Sequence, residues 1–219
     1  MIKAAIFDMD GLMFDTERYV KEIWDEIGGE LGYEHVSEVM PLTMGRRLNT
    51  TADIFAEHFG PEFPFFYFLP EYRRRMSERI EREGVPVKKG LRNLLEYLKE
   101  EKIVCAVASS TVREKVLCYC GKAGITGYFA QILGGDTTEK CKPDPQIYLT
   151  AAQAVGEKPE NCLVLEDSPN GCLAGYRAGM KVVMVPDQVQ PDAKLRALVS
   201  ACVPSLLDVI PLLESRKEA

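Results

Sequence analysis

Five short apolar runs, separated by stretches of helical periodicity, decide what this chain can fold into. They cover residues 2–7, 103–108, 131–133, 162–165 and 182–185, and Val182-Val183-Met184-Val185 is typical of them. Runs that lack polar alternation belong to strands covered on both faces, as in a parallel sheet. Between them apolar residues recur at helical spacing, as with Leu91, Leu94, Leu95 and Leu98. Further helices are expected over about 112–123, 145–155 and 170–178, and near 192–200 and 206–213. Alternating strand and helix units give parallel strands joined by right-handed crossovers. The expected fold class is therefore α/β, a doubly wound parallel sheet.

Residues 16–85 break this alternation. Val20, Ile23, Trp24, Ile27 and Leu31, then Leu48, Ala52, Phe55 and Phe59, keep a helical period with no buried strand among them. The aromatic run Phe63-Pro64-Phe65-Phe66-Tyr67-Phe68-Leu69-Pro70 has proline near both ends, which argues against a central strand. It reads as packing between helices, or else as an exposed binding patch. Tyr72 to Glu83 is densely charged and reads as a solvated helix stopped by Gly84. The chain thus divides into an α/β core, 1–15 and 86–219, and an inserted all-helical domain, 16–85. A length of 219 residues suits one full domain and a smaller one.

The net charge of −6 argues against a nucleic-acid-binding surface, which needs a basic excess on one face. No apolar run reaches the roughly 20 residues of a membrane span, and the first run is short and ends in carboxylates, unlike a signal peptide. Seven cysteines, with no CxxC pair and several within apolar runs, read as free thiols in a reducing compartment. The expected location is cytoplasmic. A monomer is the default expectation.

Chemistry gathers where the strands end. Phe7-Asp8-Met9-Asp10-Gly11 follows the first run, Ser109-Ser110-Thr111 the second, and Glu166-Asp167-Ser168 the fourth. Lys140-Cys141-Lys142-Pro143-Asp144-Pro145 precedes a helix. Strand carboxyl ends in an open α/β sheet form the ligand crevice. Asp8 and Asp10, two residues apart, repel each other unless a cation or a retained proton intervenes. Three or four carboxylates suit a hard divalent cation, Mg²⁺ above all. The 109–111 hydroxyls and backbone N–H groups form an anion cradle, and Lys142 adds a cation. Together these can surround a phosphoryl group. Asp8 can then attack phosphorus, while Asp10 protonates the leaving oxygen and later takes a proton from water. Taken singly, Ser109 reads as a helix cap or an anion ligand, and Asp144 as a cap for the following helix. Gly134-Gly135-Asp136 reads as a turn, with Asp136 a candidate to line the crevice. No Ser-His-Asp arrangement can be built from His35 and His58, both in the insertion.

The extended motif Asp8-Met9-Asp10-Gly11-Leu12-x-x-Asp15-Thr16, with Ser109, Lys142-Pro143-Asp144-Pro145 and Glu166-Asp167-Ser168-x-x-Gly171, resembles the haloacid dehalogenase superfamily. Within it, the chain resembles the β-phosphoglucomutase-like group of phosphatases, over nearly its whole length. That resemblance implies a Rossmann-like core with a helical cap, Asp8 as nucleophile and metal ligand, and Asp10 as acid/base that also lends its backbone carbonyl to the metal. It implies Ser109, the N–H of Ser110 and Lys142 as phosphate ligands. Asp167 would complete the metal site, with Glu166 a direct or water-mediated ligand.

In such proteins the inserted domain selects the substrate, and Leu42-Thr43-Met44-Gly45-Arg46-Arg47 is the candidate specificity loop. Arg46 and Arg47 read either as a grip on an anionic or polar leaving group or as helix-surface charge. Sugar-phosphate mutases of the group carry a histidine and an arginine where this chain has Val20 and Leu48, which favours hydrolysis. Haloacid dehalogenases lack the second motif aspartate, here Asp10. The expectation is a Mg²⁺-dependent phosphatase of a small phosphorylated metabolite, a sugar or nucleoside phosphate, working through an aspartyl-phosphate. A sugar-phosphate mutase is the alternative, and a non-catalytic phosphate-binding regulator a second.

Overall fold

The computed structural model describes residues 1–43 and 48–215. The strand β1 (Ala4–Phe7) is followed by helices α1 (Thr16–Glu30), α2 (Met40–Thr43), α3 (Leu48–Phe59) and α4 (Phe65–Glu83). Then α5 (Leu91–Glu100), β2 (Val104–Ala108), α6 (Arg113–Lys122), β3 (Phe129–Leu133), α7 (Gln146–Ala154) and β4 (Cys162–Glu166) alternate. The chain ends with α8 (Pro169–Arg177), β5 (Lys181–Met184), α9 (Ala193–Leu198), β6 (Ala201–Cys202) and α10 (Val209–Ser215). It separates into two compact units, Met1–Asp15 with Val85–Ala219, and Thr16–Gly84. Val85, buried, belongs to the first unit, one residue outside the 86–219 segment read from the sequence.

The first unit is a six-stranded sheet in the order β3-β2-β1-β4-β5-β6, with every neighbouring pair parallel. All four residues of β1 are fully buried, as an unalternated apolar run requires. Register then determines which loops meet. Phe7 lies opposite Val107 on one side and Leu165 on the other. Asp8 follows Phe7 directly, Glu166 follows Leu165 as the last residue of β4, and Ser109 comes two residues after Val107, so all three lie at one end of the sheet.

Two features of the sheet differ from the sequence expectation. β3 starts at Phe129, not 131, with the Phe129 ring edge-on to Phe7 at 5.8 Å. A sixth strand, Ala201–Cys202, pairs with β5; two residues are too few for any hydrophobic period to register.

The second unit is helical throughout. Trp24 gathers Phe55, Phe65 and Phe68 at centroid distances of 5.2, 6.0 and 5.0 Å. The aromatic run is thus mainly packing: Phe63, Phe65 and Phe68 are buried, although Phe66 and Tyr67 are exposed. Helix α4 starts at Phe65 and runs straight through Pro70, well before the Tyr72 start read from charge. An interior proline costs about 3 kcal/mol, whereas burying two phenylalanines returns roughly 1.5–3 kcal/mol each. Burial wins. Arg79 on α4 pairs with Glu22 and Glu26 on α1 at 2.9 and 2.5 Å, and Arg75 with Glu30 at 2.5 Å. Gly84 ends α4, as expected, with φ of 81°, a positive value that glycine adopts without strain. Arg46 and Arg47 lie outside the described residues.

Candidate active site

Asp8 extends the β1 ladder, its N–H donating to Leu165 O at 3.0 Å, and its carboxylate is nearly buried. Lys142 Nζ donates to Asp8 Oδ1 at 2.5 Å, to Glu166 Oε1 at 2.7 Å and to Ala108 O at 3.1 Å. The three acceptors come from the ends of β1, β4 and β2, so one ammonium ties three strand ends together. The Lys142–Pro143 peptide is cis.

Glu166, fully buried, is saturated with donors. Its Oε1 accepts from Lys142 and from Tyr148 Oη at 2.8 Å. Its Oε2 accepts from Asp167 N at 3.0 Å and from Ser168 N and Oγ, both at 2.9 Å. Burial works against its charge, yet Lys142 and the hydrogen bonds from Ser168 and Tyr148 hold its carboxyl below the ordinary range. Gly171 makes room for it: a Cβ there would fall 1.6 Å from Glu166 Oε1.

Asp8, Glu166 and Asp167 each present a ligand atom within 4.8 Å of the others. Burial, and then repulsion from Glu166 and Asp8, pushes Asp167 up to about 9. Burial also raises Asp8, to about 7, despite the opposing pull of Lys142. Three crowded carboxylates against one ammonium leave an excess of buried negative charge, which suits a hard oxygen-seeking dication. Because Glu166 is already spent on five donors, Asp8 and Asp167 are the side chains better placed to bind a cation directly. Gly11 turns the chain beside them with φ of +82°, and a Cβ there would lie 2.3 Å from Asp167 Oδ2.

Asp10 lies apart from that cluster and accepts from Thr111 Oγ1 at 2.7 Å. Ser109 is buried, and its Oγ accepts from Thr111 N at 3.0 Å. It does not cap α6, which begins four residues later at Arg113. Asp8, Asp10, Ser109, Ser110, Lys142, Glu166 and Asp167 all line one cavity of about 260 Å³, joined by Ser168 and Asn170. The remaining candidates serve the scaffold. Asp136 accepts from Arg113 N at 2.7 Å at the start of α6, and Asp144 from Gln146 N at 3.0 Å at the start of α7.

Residues 5–185 match the family model described as haloacid dehalogenase-like hydrolase. The chain belongs to that family. Among this hydrolase's relatives is Hexitol phosphatase B of Escherichia coli (strain K12), 29% identical over 94% of this chain and 97% of that protein. Another is (DL)-glycerol-3-phosphatase 2 of Arabidopsis thaliana, 30% identical over 96% of this chain and 90% of the other. The crystal structure of a HAD family hydrolase from Deinococcus radiodurans R1, with bound phosphate and sodium, superimposes with a TM-score of 0.83. It is 26% identical and covers 98% of this chain and 96% of its own. The protein is accordingly a phosphatase of the haloacid dehalogenase-like hydrolases.

Two residues around the hydrolase's cavity escaped the sequence reading. Tyr148 is fully buried, donates to Glu166, and places its ring 4.8 Å from the Lys142 ammonium. Burial first, and then the neighbouring carboxylates, push its phenol well above its ordinary value. Its only signal in the chain is a phenol on the apolar face of a helix, six residues past Lys142. Thr111 is, in the sequence, one of three consecutive hydroxyl residues, and its partner Asp10 emerges only in the fold. The seven cysteines are all free; Cys105, Cys120, Cys162 and Cys172 are buried, and Cys118 and Cys141 are exposed. Among the described residues no helix is long and apolar enough to cross a membrane.

Proposed function

We propose that this hydrolase is a Mg²⁺-dependent phosphatase that cleaves monoesters of small polyhydroxy metabolites, sugar or nucleoside phosphates among them, through an aspartyl-phosphate on Asp8. The observation that carries the reading is Asp8 itself. It is a buried carboxylate held by Lys142 at 2.5 Å, beside Asp167 and in the same cavity as Asp10 and the Ser109–Ser110 turn. The names of the relatives support phosphorylated polyols and related compounds as the substrate class.

Asp8 Oδ2 attacks phosphorus while the bond to the leaving oxygen breaks, and the leaving oxygen takes its electron pair and a proton from Asp10. Water then attacks the same phosphorus, gives its proton to Asp10, and expels the Asp8 carboxylate with release of inorganic phosphate. The Ser109 hydroxyl and the Ser110 N–H hold the phosphoryl oxygens throughout, and Lys142, whose three donors hold Asp8, Glu166 and Ala108 O, adds its positive charge beside them. Asp8, Asp167 and the Asp10 backbone carbonyl would hold Mg²⁺, with Glu166 fixed behind them. Bound there, the ion would neutralise charge on the attacking carboxylate and the phosphoryl oxygens.

A phosphate-release screen over sugar, polyol and nucleoside phosphates tests the reading, with Asp8→Asn as the blank and EDTA against Mg²⁺ as a second axis. The expected outcome is release that needs both Asp8 and the metal. Wild-type release by Asp8→Asn, or indifference to chelation, would overturn it. Hexose 1-phosphate separates the mutase alternative: free phosphate supports hydrolysis, and the 6-phosphate isomer supports a mutase. Phosphate binding without release from any ester would mark a regulator.

A further inference from the structure

The three consecutive residues of the Ser109-Ser110-Thr111 turn do different things. Ser109 Oγ accepts from Thr111 N at 3.0 Å, and Thr111 O accepts from Gly135 N at 2.9 Å. With its backbone held on both sides, Thr111 delivers its hydroxyl from a fixed turn. That hydroxyl donates to Asp10 Oδ2 at 2.7 Å. The backbone of Asp10 is fixed as well, in a short bridge with Phe14 and a turn closed by Gly11 N donating to Phe14 O at 3.1 Å.

We propose that Thr111 is a positioning residue for proton transfer. Its hydroxyl engages Oδ2 of Asp10 and so holds the carboxyl in one orientation for exchanging a proton with the leaving oxygen and, later, with water. This rests on the reading of Asp10 as acid and base. A donor on one oxygen removes rotational freedom about the Asp10 side chain, and misplacing an acid by about 1 Å is enough to cost roughly 100-fold.

The signature is dependence on the leaving group. An alkoxide leaves only with a proton, whereas dinitrophenolate leaves without one. Loss of Thr111 therefore falls on kcat/KM for alkyl esters, which reports formation of the phosphoenzyme. Thr111→Val keeps the shape and removes the donor. A hydrogen bond to a charged group converts to roughly a 10- to 100-fold effect, and that loss is expected on an alkyl phosphate such as glycerol phosphate. Dinitrophenyl phosphate should change by less than about threefold, since a good leaving group makes little use of general-acid help. Thr111→Ser, which restores the hydroxyl, should recover most of the loss, and melting temperatures confirm that the variants fold. Thr111→Ala takes the place of the valine variant if that one does not.

Equal losses on both substrates, carried in KM, would instead make Thr111 a ligand of the substrate, and no loss on either would leave the hydrogen bond without a role. Either result overturns the proposal. Asp10→Asn in the same assay separates the two levels of inference. If Asp10→Asn is selective for alkyl esters and Thr111→Val is not, only the assignment of Thr111 fails. If Asp10→Asn shows no selectivity, the acid/base reading fails with it.

Discussion

Replacing Tyr148 with phenylalanine removes one oxygen atom from a point of the core where five donors converge on Glu166. The hydroxyl donates to Glu166 Oε1 at 2.8 Å, both residues are fully buried, and water cannot take the vacated place. A hydrogen bond to a charged acceptor contributes about 1.5–3 kcal/mol. Glu166 keeps four other donors, including the Lys142 ammonium, so the cost should fall at the low end, about 1.5 kcal/mol. The ring remains beside the ammonium and no cavity opens. For a chain of this length each kcal/mol moves the melting temperature by about 2–4 °C, so thermal unfolding in EDTA should drop by roughly 3–6 °C. A double-mutant cycle identifies the partner: with Glu166→Gln in place the acceptor is neutral, and the tyrosine should be worth about half as much. An unchanged melting temperature, or an equal cost in both backgrounds, would refute the view that Tyr148 anchors Glu166.

Further outcomes follow from the same structure. Asp8 and Asp167 are raised from 3.8 to about 7 and about 9, so the folded, metal-free protein binds more protons than the unfolded chain and loses stability as pH rises across that window. Mg²⁺ needs both groups ionised; its affinity, read by calorimetry, should therefore climb between about pH 6 and 9 with proton release, and a pH-independent affinity would contradict the assignment of these ligands. Burial pushes Cys105 up to about 12, and Cys120 and Cys162 to about 11, whereas Cys118 and Cys141 are exposed. Brief thiol labelling of the native protein followed by peptide mapping should mark Cys118 and Cys141 and spare those three. Pro70→Ala restores a missing donor inside α4 and should stabilise the protein by about 1–2 kcal/mol in urea unfolding; no gain would contradict the cost assigned to the proline.

What could be read in the sequence was local. An apolar run, a turn and a carboxylate lie within ten residues of one another, so Asp8 and Asp10 could be placed at a strand tip from the chain alone. The parallel order followed because strands and helices alternate, and the meeting of Asp8, Ser109 and Glu166 followed from the parallel order. Partnerships across the sheet could not be read. Glu166 reads equally well as a metal ligand until Tyr148, Lys142 and Ser168 are seen to occupy both its oxygens. Thr111 and Asp10 are 101 residues apart, and nothing in either neighbourhood announces the bond. The start of helix α4 is hidden for a related reason: Pro70 is a local signal, and the aromatic packing on Trp24 that overrides it comes from another helix.

The central claim is that phosphate passes through Asp8, and acid-quenched enzyme sampled during turnover tests it most directly. Peptide mass analysis of wild-type enzyme with its best substrate and Mg²⁺ should find a phosphoryl group on the peptide carrying Asp8, and Asp8→Asn should show neither the adduct nor phosphate release. A phosphoryl group on another residue, or full turnover by Asp8→Asn, would contradict the account.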